Sequence, residues 1–224
     1  PDGYSSEQAQ GTNDFTNTAD ETEASFTKAW ETIDGETIPT VTFNLIRWID
    51  GVRDTANDPY DSYDLPNTET SHTFTGLPTY SSTGAAYTYT VEEETPDGYS
   101  SEQAQGTNDF TNTADETEAS FTKAWETIDG ETIPTVTFNL IRWIDGVRDT
   151  ANDPYDSYDL PNTETSHTFT GLPTYSSTGA AYTYTVEEET PDGYSSEQAQ
   201  GTNDFTNTAD ETEASFTKAW ETID

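Results

Sequence analysis

The sequence predicts an all-β chain of tandem antiparallel β-sandwich domains, and three observations carry that expectation. The stretch PDGYSSEQAQGTNDFTNTADETEASFTKAWETID begins at Pro1, again at Pro96 and again at Pro191, a period of 95 residues with no substitution between copies. A unit of that length is a small domain and too long for one turn of a solenoid. Within each unit, short segments rich in β-branched and aromatic residues alternate with period two. Gly and Pro punctuate them at Asp34-Gly35, Asp50-Gly51, Gly76-Leu77-Pro78 and Pro96-Asp97-Gly98, and no segment sustains a helical apolar period.

The period places two complete domains at 22–116 and 117–211, with 1–21 as the C-terminal part of a preceding repeat and 212–224 as the N-terminal strand of a following one. In the first complete domain SFTKAW (Ser25 to Trp30) is the first strand, and its parity puts Phe26, Lys28 and Trp30 on one face. TVTFNLIRWI (Thr40 to Ile49), SHTFTGL (Ser71 to Leu77), AYTYTVEEE (Ala86 to Glu94) and NDFTNT (Asn108 to Thr113) follow as strands. Several short strands at this spacing imply a sandwich with its own small core. The stretch TADETEA (Thr18 to Ala24) joins the last strand of one repeat to the first of the next. It lacks the Gly and Ser of a loose tether, so limited bending is expected there.

Composition narrows the function. With 44 Asp and Glu against 7 Lys and Arg, and a formal charge of -37, the chain is far too acidic to seek nucleic acid or anionic lipid. Hydrophobic residues make up only 30%, yet 5 Trp, 13 Tyr and 10 Phe supply bulky groups for a small β core. Cysteine is absent, so a disulfide cannot staple the fold. No apolar run approaches the roughly 18 residues a membrane helix needs, and no membrane insertion is expected.

The single lysine of each repeat stands out. Lys28 sits between two aromatics at core parity; on the last strand Phe110 and Asn112 share that parity, and on AYTYTVEEE so do Tyr87, Tyr89, Val91 and Glu93. Burying an ammonium, an amide and a carboxyl separately costs several kcal/mol each, so the three are expected to meet. Desolvation favours a neutral amine and a protonated acid in such a pair. The amine is then a nucleophile. Attack on the side-chain carbonyl of Asn112, with Glu93 polarising that carbonyl and relaying protons, releases ammonia and leaves a Lys-Asn isopeptide bond. This is a single-turnover self-modification, so no enzyme activity on a substrate is expected. The competing expectation is that Lys28 lays its stem along Trp30 and carries its ammonium out to solvent.

SFTKAW, TFTGLPTY (Thr73 to Tyr80), YTVEEETPDGY (Tyr89 to Tyr99) and DFTNT (Asp109 to Thr113) resemble the B-type repeat domains of Gram-positive collagen adhesins and pilins, the Cna B-type domains. The resemblance covers essentially every residue of each repeat. It implies a reverse-immunoglobulin-like sandwich in a cell-wall-anchored surface stalk. It also implies an autocatalytic isopeptide between a first-strand Lys and a last-strand Asn, assisted by an acid before the PDGY turn. Carried onto this sequence, Lys28 pairs with Asn112 and Lys123 with Asn207, while Asn17 and Lys218 have partners outside the sequence. The acid is one of Glu92, Glu93 and Glu94; parity with Tyr89 and Val91 favours Glu93, hence Glu188, and Glu92 is the fallback if a bulge shifts the register.

Other groups carry weaker signals. Asp58, Asp61 and Asp64, beside Asp54, form a weak calcium candidate that lacks EF-hand spacing and reads better as a solvated acidic loop. His72 is the only histidine of its repeat and makes no zinc site of the usual kind. No hydrolase triad, phosphate loop or cofactor motif is present, so no cofactor is expected. Trp48 lies at opposite parity to Val41, Phe43 and Leu45 and is expected to act as a lid or an inter-domain packing residue.

The expected function is therefore that of an extracellular stalk on a bacterial surface. Its partners are the neighbouring repeats of the same chain, with any host-surface ligand bound by regions outside this sequence. The alternative is a repeated ligand-binding module acting through avidity on a host matrix protein or glycan. That alternative calls for an exposed aromatic cluster recurring on each domain, around Tyr60, Tyr63 and Trp48.

Overall fold

The computed structural model describes residues 2–220, and every regular element among them is a strand. Strands β1 (Tyr4–Gln8) and β2 (Phe15–Ala19) form an antiparallel hairpin. The first complete repeat follows as β3 (Glu21–Glu31), β4 (Val41–Ile49), β5 (Val52–Arg53), β6 (Asp61–Leu65), β7 (Ser71–Pro78), β8 (Tyr87–Glu94), β9 (Tyr99–Gln103) and β10 (Asp109–Ala114). The second supplies β11 (Glu116–Glu126), β12 (Val136–Ile144), β13 (Val147–Arg148), β14 (Asp156–Leu160), β15 (Ser166–Pro173), β16 (Tyr182–Glu188), β17 (Tyr194–Gln198) and β18 (Asp204–Ala209). The chain divides into two compact units, one running to Glu116 and including Leu172–Ala181, the other Thr117–Gly171 and the chain from Tyr182 onward.

Each repeat builds two sheets. In the first, β7-β3-β10-β9 form one sheet, and β4 forms the centre of the other by pairing with β5, β6 and β8. The second repeats the scheme with β15-β11-β18-β17 and with β12 at the centre. Among the described residues of the first repeat, every strand pairing is antiparallel except that of the first strand with the last. There β10 runs parallel to β3, with Phe110 opposite Lys28 and Asn112 opposite Trp30.

Alternation sets the core. Along β3, Ala24, Phe26 and Lys28 are buried while their neighbours are exposed, the period of a strand with one covered face. Phe26 stacks on Phe43 of the facing sheet with ring centroids 3.8 Å apart, and Phe110 meets Phe43 edge-on at 5.2 Å. Ala24, Val41, Leu45, Leu65, Phe74, Leu77 and Val91 complete this cluster. At the β4–β5 turn Asp50 and Gly51 both take positive φ, 47° and 82°, as a two-residue hairpin with the strand twist requires.

The structure lengthens and adds elements relative to the sequence reading. The first strand extends back to Glu21, so all of TADETEA except Asp20 lies in β2 or β3. Asp20 itself is tied down: its N–H donates to the Gly3 carbonyl at 2.8 Å, and its carbonyl accepts from the Thr79 N–H at 3.2 Å. A Cβ on Gly3 would come within 2.8 Å of the Tyr80 Cβ, so this turn packs directly on the tyrosine of TFTGLPTY. Strand β6 lies within the stretch read as an acidic loop. Its Asp61 and Asp64 are both exposed while Leu65 is buried, so their charge did not prevent pairing with β4. Of the terminal fragments, Pro1 and residues 221–224 lie outside the described residues. SFTKAW at 215–220 forms no strand, and Phe216 and Trp220 are exposed. In each complete repeat the same six residues are held between two strands, and no described residue plays that part here.

Candidate crosslinking site

Three elements from both sheets converge on one buried point in each complete repeat. Strand β3 brings Lys28 and the adjacent β10 brings Asn112, both at core parity. Strand β8 of the facing sheet brings Glu93 across the core. Lys28 Nζ lies 3.4 Å from Glu93 Oε2, with the two side chains 0% and 2% exposed. Asn112 Nδ2 donates a short hydrogen bond to the other carboxyl oxygen, Oε1. In the second repeat Lys123 Nζ donates to Glu188 Oε2 at 3.2 Å, and Asn207 Nδ2 donates to Oε1. The lysine between two aromatics thus points inward: its Nζ sits 4.4 Å from the Trp30 ring centroid, and Trp30 is closed over by Tyr99 edge-on at 5.0 Å.

The electrostatics favour a reactive amine. Burial pushes Lys28 below the ordinary lysine value, and the Glu93 charge and hydrogen bond pull it only part of the way back; Lys123 is lowered in the same way beside Glu188. The side-chain carbonyl oxygens of Asn112 and Asn207 are buried and accept no hydrogen bond. An unsatisfied buried acceptor costs roughly 1–3 kcal/mol. Each site therefore holds an amine biased toward its neutral form, an amide carbonyl free to be polarised, and a carboxyl that accepts from the asparagine amide and lies within 3.4 Å of the amine.

The three candidate acids separate cleanly. Pairing of β8 with β4 runs without a register shift from Tyr87 to Glu94. Glu92 points the other way and binds the Arg53 guanidinium at 2.6 Å, Glu94 accepts from Asn44 at 2.7 Å, and only Glu93 reaches Lys28 and Asn112. Sequence reasoning missed one neighbour of the site. Ser101 on β9 lies directly opposite Asn112 and donates to Glu93 Oε2 at 3.1 Å, as Ser196 does to Glu188 Oε2 at 2.8 Å. The alternation of Tyr99, Ser101 and Gln103 after the PDGY turn was the available signal.

It also missed Arg47, which has the core parity of Val41, Phe43 and Leu45. Its guanidinium pairs with Asp54 and lies between the Tyr60 and Tyr87 rings, 4.4 and 4.6 Å from their centroids. Hydrogen bonds from Arg47 and then Asn57 hold the Asp54 carboxyl below the ordinary carboxylate range.

The remaining candidates are dispersed. Asp58 binds Arg53 at 2.7 Å, Asp61 accepts from the Ser62 N–H at 2.8 Å, and Asp64 accepts from Thr42 Oγ1 at 2.7 Å. Among the described residues no group of three His, Cys, Asp or Glu comes together to hold a metal. His72 stacks on Tyr63 at 3.6 Å. Tyr60, Tyr63 and Trp48 are half-buried and each bonds within its own domain, Trp48 through an Nε1–H···Oγ1 bond to Thr90 of 2.9 Å. Asn17 is exposed on β2, and Lys218 Nζ lies 3.6 Å from the Trp220 ring centroid. No helix among the described residues is long and apolar enough to cross a membrane.

Fold and site together define a tandem β-sandwich protein with one buried Lys-Glu-Asn constellation per domain. The chain belongs to the Cna protein B-type domain family, whose profile matches residues 24–113 and 119–208. Among solved structures it is similar to a single B repeat unit of the collagen-binding surface protein of Staphylococcus aureus, at 25% identity and a TM-score of 0.34, covering 86% of this chain and 100% of that one. It is similar to two B repeat units of the same protein at 24% identity and TM-score 0.35, covering 94% of this chain and 56% of that one. The major pilin T-13 of Streptococcus pyogenes matches at 14% identity and TM-score 0.40, covering 84% and 97%. A search of curated proteins returned no match. The family assignment rests on the profile.

Proposed function

We propose that this chain is a segment of a stalk at the surface of a Gram-positive bacterium, stiffened in each complete domain by an autocatalytic Lys-Asn isopeptide bond. The observation that carries this reading is the burial of Lys28, Glu93 and Asn112 against one another, repeated as Lys123, Glu188 and Asn207. Membership of the Cna B-type family supports the surface location. Any host ligand is bound by parts of the protein beyond these repeats.

The residues perform the reaction as follows. Neutral Lys28 Nζ adds to Cγ of Asn112, forming the C–N bond as the carbonyl π pair moves onto Oδ1. The Glu93 carboxyl, having taken the proton that Lys28 gives up on becoming neutral, turns it toward Oδ1 and stabilises the charge that develops there. One proton from Nζ then passes through that carboxyl to Nδ2. The Cγ–Nδ2 bond breaks with its electron pair on nitrogen, ammonia leaves and the carbonyl re-forms. One amide replaces another, nothing is oxidised or reduced, and Glu93 ends protonated, as it was when the amine attacked. The dry pocket under Trp30 and Tyr99 excludes water, which would compete for the carbonyl.

The mechanical consequence follows from topology. A pull along the chain enters a domain at β3 and leaves at β10, and these two strands are parallel neighbours. A bond from Lys28 to Asn112 joins them directly, so force passes through covalent chain and the intervening residues carry none. Stretching the chain by its two ends in a force spectrometer is therefore expected to show no unfolding step from either complete domain. Steps that release the 29–111 segment from the unmodified protein would overturn the stalk reading.

A further inference from the structure

We infer that Ser101, and Ser196 in the second repeat, is a positioning residue for the crosslinking acid; the inference rests on the proposed Lys-Asn condensation. Among the described residues, three polar groups surround the Glu93 carboxyl. Asn112 Nδ2 occupies Oε1, while Lys28 Nζ at 3.4 Å and Ser101 Oγ at 3.1 Å share Oε2. Two of them, Lys28 and Asn112, are the reactants. Ser101 is the remaining contact and the only one whose chemistry is unchanged by the reaction. In the second repeat the corresponding bond, from Ser196 Oγ to Glu188 Oε2, is 2.8 Å.

The backbone makes this contact specific. Ser101 on β9 is the direct cross-strand partner of Asn112 on β10, so their side chains share a face. Two residues earlier on the same face, Tyr99 closes over Trp30. One short strand therefore supplies both the cover of the pocket and the hydroxyl that fixes its acid. Ser101 as a residue is solvent-exposed while the Glu93 side chain is not.

Once the amine attacks, the carboxyl must present one oxygen to Nζ and the other to the departing Nδ2. A hydroxyl bonded to Oε2 restrains rotation about the Cγ–Cδ bond and keeps that assignment. The serine takes no part in the covalent change.

The test follows bond formation in the full chain made by cell-free synthesis, sampling intact mass with time after synthesis stops. Ser101→Ala with Ser196→Ala is expected to slow loss of ammonia about tenfold relative to the unmodified chain, and Ser101→Thr with Ser196→Thr, which restores the hydroxyl, to recover the rate. Thermal unfolding of the alanine and threonine chains, each carrying Glu93→Gln and Glu188→Gln so that neither crosslinks, separates folding from chemistry. Equal melting temperatures with unequal rates support positioning. If the alanine chain loses ammonia as fast as the unmodified one, the inference is wrong and the crosslink stands. If threonine fails to rescue, or the rate difference is matched by a loss of fold, Ser101 is structural only. If the unmodified chain never loses ammonia, the proposed condensation fails and this inference falls with it.

Discussion

Glu93→Gln together with Glu188→Gln is expected to give a folded chain in which neither lysine joins its asparagine. Glutamine keeps the size of the side chain and can still accept hydrogen bonds through its amide oxygen, so the sandwich core of Phe26, Phe43 and Phe110 is untouched. What it cannot do is exchange a proton between Lys28 Nζ and Asn112 Nδ2, which is the acid's task in the proposed reaction. The expected readout is the full calculated mass, with both ammonias retained, and a β-sheet circular dichroism spectrum like that of the parent. Loss of ammonia at the normal rate in this variant would remove Glu93 and Glu188 from the mechanism.

Asn112→Ala tests what the bond contributes to stability in its own domain. Closing a loop from residue 28 to residue 112 removes denatured-chain entropy worth on the order of 4 kcal/mol, by analogy with a disulfide of that span. The variant is expected to lose about that much stability in its first domain, while the second, with Lys123 and Asn207 intact, keeps its melting temperature. Because Lys28 then stays a free amine, a pH dependence should appear with it. Its folded value is lowered by burial, so the unfolded chain binds more protons between that lowered value and the ordinary lysine value near 10.5. In that window the contribution of Lys28 to stability rises with pH. Below the lowered value it is constant and unfavourable, and above the ordinary value the cost is gone. Denaturant titrations of the variant at several alkaline pH values check the sign. A domain as stable without Asn112 as with it would mean that no covalent loop was present.

Much of the fold was legible because its determinants are local. Period-two alternation in SFTKAW, YTVEEE and DFTNT assigns each side chain to a face from sequence alone, and that sufficed to put Lys28, Glu93 and Asn112 indoors on three strands. The 95-residue identity set the expected domain boundaries without any structural input. Parity does not say which strands are neighbours or in what direction they run. The parallel pairing of β3 with β10, which makes the two reactants diagonal neighbours, links residues more than 80 positions apart and leaves no local signature.

Two omissions have a simpler cause. Arg47 lies on the buried parity of β4, where a charged side chain is not expected from pattern alone; the structure satisfies that charge with Asp54 and two tyrosine rings. Strand β9 is the stretch YSSEQ, poor in apolar residues, and its one large side chain, Tyr99, covers the site next to Ser101. Edge strands that cover only a pocket rim need little hydrophobicity, so composition underrates them.

Whether each complete domain has spent its lysine can be read from the intact mass of the denatured chain. Each Lys-Asn condensation expels one ammonia, about 17 Da by the stoichiometry above. The expected mass lies about 34 Da below that calculated from the sequence, one ammonia for each complete domain. A chain at its full calculated mass would contradict it, and would leave Lys28 and Lys123 as buried partners of Glu93 and Glu188 in a stalk held together by its cores alone.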